Sequence, residues 1–285
     1  MTGLLIGLAD AGRNVTDVEE IVGTSAGSTV AAQLGSGLSL RELYARQTDP
    51  ELQAFEIMGQ VDLQNFGAEL KAVLEGADGI QQVRRALGRF ALDADTVPEA
   101  ARRRVIESRL PSHEWPSHMT LKLIAADADS GEPRVFDNAS GVSLVDAVHA
   151  SCAVPGMWPP ATINGRRYVD GAVRSNTSAD LAAGASRVLV IAPLGHMELF
   201  PCEKPLAAAI EELRANGTTV AVVEPDPASR AAIGTNPAEP FHPSPGCRSG
   251  ARPGPSAGDR LDVRFPATGR GAGRPPPRCA TGSSP

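Results

Sequence analysis

Short runs of β-branched residues alternate with segments of helical apolar spacing between Leu4 and Val223. A chain that alternates strands and helices in this way folds as an α/β domain, because each helix carries the chain back across a sheet to begin the next parallel strand. We therefore predict a three-layer α/β architecture with a mostly parallel central sheet flanked by helices.

Capping and turn signals place the individual elements. Leu4, Leu5 and Leu8 recur at helical spacing, so we predict that a helix opens the chain and that Gly12 ends it. Further helices are predicted at residues 26–34, 39–48, 83–90, 99–108, 143–150 and 205–216, and strands at residues 20–23, 120–126, 162–163, 166–169, 187–192 and 218–223. Asn164-Gly165 predicts a tight hairpin turn between two of these strands.

The class of protein is limited by composition. The 285 residues are 42% hydrophobic and 21% charged, which is typical of a globular protein. No stretch approaches the ~18 to 20 uninterrupted apolar residues of a membrane span. The first residues carry no basic leader and no cleavage site of a secretory signal, so we expect a cytoplasmic protein.

Charge and cysteine content exclude several kinds of site. The formal net charge of -6 gives no overall attraction to a polyanion, and we expect no nucleic-acid partner. Cys152, Cys202, Cys247 and Cys279 form no C-x-x-C pair and lie at no zinc-ligand spacing from a histidine. We therefore expect neither a metal site nor a disulfide framework. The helical arginines at 84, 85 and 102–104 are expected on a solvated face.

Two regions differ in character from the rest. Residues 51–118 are expected to form a mostly helical insertion within a single domain that spans residues 1–236. Residues 237–285 are rich in Pro, Gly, Arg and Ser with almost no periodic apolar pattern, so we expect a disordered tail. Translation of a GC-rich gene in the wrong frame would give a similar tail, and resequencing the gene distinguishes the two hypotheses.

The pentapeptide Gly23-Thr24-Ser25-Ala26-Gly27 matches G-x-S-x-G and lies between a predicted strand and a predicted helix. A serine on such a turn has its hydroxyl directed outward. Glycines flank it because side chains at those positions would collide with neighbouring backbone, and the helix N-terminus presents partial positive charge to an oxyanion. Ser25 is therefore a candidate nucleophile. The alternatives are a chance match and a helix N-cap.

A nucleophilic serine needs a base, for which the sequence offers two kinds of candidate. Among the five histidines only His196, which follows a predicted strand, is placed where a Ser-Asp-His hydrolase would use it. Asp170 ends another predicted strand and is followed by Gly171 and Ala172, two small residues that would let a serine approach. An ordinary Asp-Gly turn is the structural alternative.

These residues resemble the patatin-like phospholipases, a family of serine acyl hydrolases with a Ser-Asp dyad. The resemblance runs from about residue 4 to residue 223 and rests on four ordered segments: residues 23–27, 125–136, 149–160 and 170–172. It implies Ser25 as the nucleophile and Asp170 as the general base. It further implies a two-step acyl transfer that needs no metal or cofactor, a phospholipid or other acyl-ester substrate, and transient contact with a membrane surface.

The chain departs from the family pattern at its start. Family members carry a glycine-rich oxyanion loop after a first strand, upstream of the helix that here begins near Gly3. We expect that strand and loop to be missing, which would lower the rate, since loss of one oxyanion donor costs ~10² to 10³. Two other hypotheses stay open: a catalytically impaired homologue that serves as a lipid-binding or interaction module, and a Ser-Asp-His esterase that uses His196.

Overall fold

A computed structural model describes residues 1–57 and 63–233. The helices are α1 Thr2–Asp10, α2 Ala26–Leu34, α3 Leu40–Thr48, α4 Leu63–Leu74, α5 Ile80–Asp93, α6 Glu99–Arg109, α7 Leu144–Ser151, α8 Leu206–Ala215 and α9 Pro227–Ile233. The strands are β1 Glu20–Thr24, β2 Thr120–Asp127, β3 Pro133–Phe136, β4 Ala161–Ile163, β5 Arg166–Asp170, β6 Arg187–Ile191 and β7 Thr219–Val223. The tail predicted at residues 237–285 lies outside the described residues.

Local sequence signals fix several element boundaries. Gly12 follows α1 with a φ of 74°, a conformation that glycine adopts without strain. Ser39 caps α3, and a reciprocal hydrogen bond from its own backbone amide to Glu42 completes a capping box. Asn164 and Gly165 have φ values of 51° and 77°, as a two-residue hairpin turn requires. These predicted boundaries are confirmed.

The described residues between 51 and 118 hold α4, α5 and α6 and contain no strand. The ring of Phe66 on α4 packs on that of Phe90 on α5, with 6.3 Å between the ring centroids. Helix α5 lies over the main sheet, and α6 packs against α7. This helical segment therefore covers the sheet near the end of β5.

The main sheet is mixed, so the expectation of a mostly parallel sheet is wrong. Strand β1 runs parallel to β2, but β3 and β5 pair with β2 in the antiparallel sense and β4 is antiparallel to β5. A tight turn such as Asn164-Gly165 can join only antiparallel strands, which accounts for the direction of β4 relative to β5. Strands β6 and β7 form a separate parallel pair.

Two strands share one edge of β2. Strand β1 pairs with residues 120–124 of β2 and β5 pairs with residues 125–127, while β3 occupies the other edge. Because β1 is parallel and β5 antiparallel to β2, their carboxyl ends point towards each other. The residues that follow β1 and end β5 are thereby brought to the same place.

Helices cover both faces of the main sheet. Leu121, Leu123 and Ala125 of β2 pack into a core with α2, α6 and α7, whereas Ala126 packs with α5 on the opposite face. Such alternation follows from the two-residue period of a strand. The expectation of a sheet flanked by helices is confirmed. A smaller core lies between α8 and the β6–β7 pair.

Candidate active site

Ser25 lies on the turn that joins β1 directly to α2. Its φ is 54° and its ψ is -126°, a backbone conformation that non-glycine residues rarely adopt. Strained residues of this kind persist only where their surroundings hold them, and they cluster at functional sites. The strand-turn-helix context predicted for the G-x-S-x-G pentapeptide is confirmed.

Buried polar groups hold this strained turn. The Ser25 amide donates to the Ser151 hydroxyl at 3.0 Å. The Ser25 carbonyl accepts from the Cys152 thiol at 3.2 Å, from the Ser28 amide at 2.8 Å and from the Ser28 hydroxyl at 2.7 Å. Both backbone groups of Ser25 are therefore satisfied while its side chain takes no part in holding the turn.

The two glycines of the pentapeptide differ in what they require. A Cβ on Gly23 would lie 2.8 Å from Cα of Ser28 and 2.9 Å from the Gly27 carbonyl oxygen, which is closer than real Cβ atoms approach. A Cβ on Gly27 would meet nothing within 4 Å. The expectation that both glycines avoid a backbone collision is therefore confirmed for Gly23 and wrong for Gly27, because the Gly27 Cα faces open space.

Asp170 ends β5 and is fully buried. Its Oδ1 accepts from the Ala172 amide at 2.8 Å, and its own amide donates to the Ala153 carbonyl at 2.9 Å. Burial raises the pKa of this carboxyl from near 3.8 to about 7, although hydrogen bonds from Ala172 and from the Ser25 side chain oppose the shift. A carboxyl with a pKa near neutrality can exchange a proton at physiological pH.

The second oxygen of Asp170, Oδ2, is buried and differs from Oδ1 in its contacts. The Ser25 hydroxyl lies close enough to lower the Asp170 pKa. Oδ2 nevertheless has no hydrogen bond of good geometry to any described residue. We interpret the resting contact as loose, since such bonds often align fully only once substrate is bound. The structure therefore brings together Ser25 and Asp170, which lie far apart in the sequence.

Gly171 and Ala172 position Asp170 in a way that differs from the expectation. A Cβ on Gly171 would lie within 3.0 Å of the Ile124 carbonyl oxygen. Position 171 therefore needs a glycine because the backbone of β2 lies against it, and not because a serine approaches it. Ala172 is buried, and its amide fixes one carboxylate oxygen.

A family model matches the part of the chain that holds Ser25 and Asp170. The model described as patatin-like phospholipase matches residues 3–183. The chain belongs to the patatin-like phospholipase family.

Among solved structures, the chain is similar to VipD from Legionella pneumophila, at 14% sequence identity and a TM-score of 0.31. The match covers 60% of this chain and 43% of VipD, so the chain spans less than half the length of that patatin-like structure.

One segment, residues 151–153, contacts both Ser25 and Asp170. Ser151 and Cys152 bind the backbone of Ser25, and the next carbonyl, that of Ala153, accepts from the Asp170 amide. Sequence reasoning singled out this segment only by family resemblance and assigned Ser151 no role. The available signal is a serine and a cysteine at the buried end of an apolar helix, where a polar group needs a partner.

Neither His196 nor His149 is hydrogen-bonded to Ser25 or Asp170. His196 follows β6, is half-exposed and pairs with Glu224 at 3.1 Å. His149 is buried in α7, and burial lowers its pKa to about 4, so it is neutral at pH 7. No hydrogen bond joins a histidine to Ser25 or Asp170 within residues 1–57 and 63–233. The contacts of His196 give no support to a Ser-Asp-His arrangement.

The part of the chain that the structure describes holds neither a metal cluster nor a membrane-spanning helix. No group of three or more His, Cys, Asp or Glu side chains there could hold a metal ion. None of the helices in those same ranges is both long and apolar enough to cross a bilayer.

Proposed function

We propose that this patatin-like protein hydrolyses carboxylic esters of lipids, with Ser25 as nucleophile and Asp170 as general base. The observation that carries the proposal is the meeting of a serine on a strained strand-to-helix turn with a fully buried carboxyl whose pKa is about 7. A strained, outward hydroxyl and a base tuned to neutral pH are what acyl transfer requires.

In the first step Ser25 attacks the ester carbonyl. The ionised Asp170 carboxylate accepts the hydroxyl proton through Oδ2, the oxygen that has no strong partner among the described residues. Oδ1 stays bound to the Ala172 amide, so the carboxylate keeps its orientation as the proton arrives. The tetrahedral intermediate then collapses, and protonated Asp170 returns its proton to the departing alcohol oxygen. An acyl-enzyme on Ser25 remains.

In the second step a water molecule replaces the alcohol. Asp170 accepts a proton from the water as its oxygen attacks the acyl carbonyl, and returns the proton to the Ser25 oxygen when the acyl bond breaks. The proton count closes with free fatty acid and regenerated serine. The carboxylate serves twice as base and twice as acid, which favours a pKa near the working pH.

Backbone dipoles of α2 stabilise the negative oxygen in both steps. The first amides of a helix have no intrahelical acceptor and carry partial positive charge. Ser25 immediately precedes α2, and Gly27 leaves the first turn of that helix open to an approaching group. The small side chains at this turn let a substrate carbonyl come close to the amides.

Contact with a lipid surface is part of the proposal. Met197 and Leu199 are 55% and 41% exposed, unusual values for large apolar side chains. Their loop is fastened to the segment that follows the base, because the Asn176 side chain donates to the Met197 carbonyl at 2.7 Å and the Asn176 amide to Glu198 at 3.0 Å. Apolar side chains beside the site can hold it against aggregated lipid.

The test is release of fatty acid from phospholipid vesicles, followed by mass spectrometry, for the wild type and two variants. Ser25→Ala removes the nucleophile and Asp170→Asn the base with little change in shape. We expect both to lower the rate by at least ~10²-fold. Hydrolysis that persists in both folded variants would overturn the proposal. Vesicle binding without hydrolysis by the wild type would instead favour the lipid-binding module.

A further inference from the structure

A cavity of about 250 Å³ lies beside the loop that follows Asp170. Its lining is charged and comes from α5, from the segment after β5 and from the segment before α8. The lining residues are Arg84, Arg174, Ser175, Asp180, Glu203 and Lys204.

Arg84 is the deepest charged group of this cavity. It is only 6% exposed, which is unlike the solvated face expected for the helical arginines. Its Nε has no hydrogen-bond partner among the described residues, and its only ion pair there, 3.5 Å long, is to Glu203. The Glu203 side chain is 70% exposed, so water weakens that attraction. A buried guanidinium with so little compensation favours an additional anion.

The other two cations are held in place around it. Asp180 binds the Arg174 guanidinium through two hydrogen bonds of 3.0 and 2.5 Å, which fixes the plane of the fork. Lys204 pairs with Glu212 at 2.5 Å and remains 37% exposed. Each of the three cations has a carboxylate partner, since Arg174 pairs with Asp180, Lys204 with Glu212 and Arg84 with Glu203. The Arg84 pair is the longest, at 3.5 Å against 2.5 Å for the other two, so Arg84 is the cation with the most capacity left for an anion.

The cavity adjoins the candidate active site through the backbone. The amides of Arg174 and Ser175 donate to the carbonyl of Gly171, the residue after Asp170, at 2.9 and 3.1 Å. The Ser175 hydroxyl accepts from the Ser178 amide, and the Ser178 hydroxyl accepts from Thr24 next to the nucleophile. A ligand in the cavity therefore contacts the same loop that positions the dyad.

We propose that this cavity binds a phosphate group, with Arg84 as the principal ligand and Arg174 and Lys204 at its sides. A planar guanidinium offers phosphate oxygens several donors at once, and a buried one is weakly screened. The phosphate belongs either to the headgroup of a phospholipid substrate, in which case the inference rests on the proposed function, or to a free phosphate anion.

Calorimetric titration with inorganic phosphate tests the site without reference to activity. We expect saturable binding by the wild type, weakened at least ~10-fold in Arg84→Gln and ~3-fold in Lys204→Gln, because each loses a charge-assisted hydrogen bond. Glu203→Gln should tighten binding ~3-fold, since it removes a competing carboxylate. Arg89→Gln is the matched control, as Arg89 is an exposed arginine of the same helix. The affinity of Arg89→Gln for phosphate should equal that of the wild type.

Absence of saturable binding below ~10 mM phosphate, or equal losses in Arg84→Gln and Arg89→Gln, would overturn the site. If Arg84→Gln fails to fold, Lys204→Gln and Glu203→Gln carry the test, because neither side chain is buried: Glu203 is 70% exposed and Lys204 37% exposed. Phosphate binding measured in this way does not depend on whether the chain hydrolyses any ester.

Kinetics then identify the source of the phosphate. For a lipid headgroup, Arg84→Gln should raise the KM for phospholipid micelles and leave that for an uncharged p-nitrophenyl ester unchanged. For a free anion, both KM values stay unchanged, and added phosphate alters wild-type turnover of the uncharged ester but not that of Arg84→Gln. A variant that changes both KM values equally, with no effect of phosphate, would contradict a phosphate site.

Discussion

Thr24 and Asp170 end two strands that meet end to end on one edge of β2, opposite the adjacent residues Ile124 and Ala125. One strand runs parallel and the other antiparallel to β2. The proposed nucleophile Ser25 follows the first strand and the proposed base Asp170 ends the second, so the sheet itself sets their separation. Sites built on strands hold their geometry more firmly than sites built on loops.

Activity should rise with pH through neutrality. Asp170 acts as base only when ionised, and burial raises its pKa to about 7. We expect kcat/KM for a soluble ester to increase between pH 5 and pH 8 with a midpoint near 7. A pH-rate profile on the wild type measures this. A profile that is flat over this range, or that falls with pH, would show that another group is the base.

Asp170→Asn should stabilise the fold at high pH. The folded protein binds a proton at Asp170 up to about pH 7, whereas the unfolded chain releases it near 3.8. The wild-type free energy of unfolding therefore falls as the pH rises through this window, by at most ~4 kcal/mol. Asparagine avoids that loss and keeps an acceptor for the Ala172 amide.

Urea unfolding of Asp170→Asn and wild type at pH 5 and pH 8 checks the sign. The variant should be more stable than the wild type at both pH values, with a difference at pH 5 that is less than half of the difference at pH 8, because the loss begins near pH 3.8. A variant that is less stable at pH 8 would contradict the burial of an ionisable carboxyl at this position.

Gly23 and Gly27 give a matched pair for the nucleophile turn. Gly23→Ala places a Cβ against the Ser28 backbone, which cannot move without shifting α2. We expect a loss of ~2 to 4 kcal/mol in stability, as for other overpacked sites. Gly27→Ala meets open space and should change stability by less than ~0.5 kcal/mol. Thermal unfolding of both variants measures the contrast, and equal losses would contradict the described turn.

Ser151 should act as a positioning residue. Ser151→Ala leaves the Ser25 amide without its acceptor, so we expect kcat to fall ~10-fold at nearly constant KM and stability to fall by ~1 to 2 kcal/mol. Ser143→Ala is the control, because it removes the N-cap of the same helix at a similar cost in stability without touching Ser25. Steady-state kinetics separate them. Equal kcat losses would reduce Ser151 to a structural role.

Met197 and Leu199 should matter only on aggregated lipid. The double change Met197→Ser, Leu199→Ser removes apolar surface beside the site, and we expect several-fold slower hydrolysis of vesicles with unchanged turnover of a monomeric ester. Val18→Ser is the control, since Val18 is also exposed but precedes β1 at the end away from Ser25. A similar effect of Val18→Ser would contradict the proposal that the loop of Met197 and Leu199 contacts lipid.

Local signals predicted the elements well, because each depends on nearby residues. The capping box at Ser39, the Asn164-Gly165 turn and the pentapeptide around Ser25 all carry their structure in a few adjacent positions. Strand direction was predicted less well. Whether β5 runs parallel or antiparallel to β2 depends on pairing between residues more than 40 positions apart.

The site was predicted as two residues without their support. Ser25 and Asp170 are visible as motifs, but their hydrogen bonds with Ser151, Cys152 and Ala153 arise only once α7 packs behind the turn. Burial of Arg84 was missed for the same reason. Its helical pattern gives no sign that the segments around Arg174 and Lys204 close over it.

The central claim is that Asp170, and no histidine, activates Ser25. The most direct measurement is the rate of labelling by a fluorophosphonate, with peptide mapping, for the wild type, Ser25→Ala, Asp170→Asn and His196→Ala. We expect label on Ser25, none there in Ser25→Ala, labelling at least ~10²-fold slower in Asp170→Asn and an unchanged rate in His196→Ala. Wild-type labelling in Asp170→Asn, or loss of labelling in His196→Ala, would contradict activation of Ser25 by Asp170.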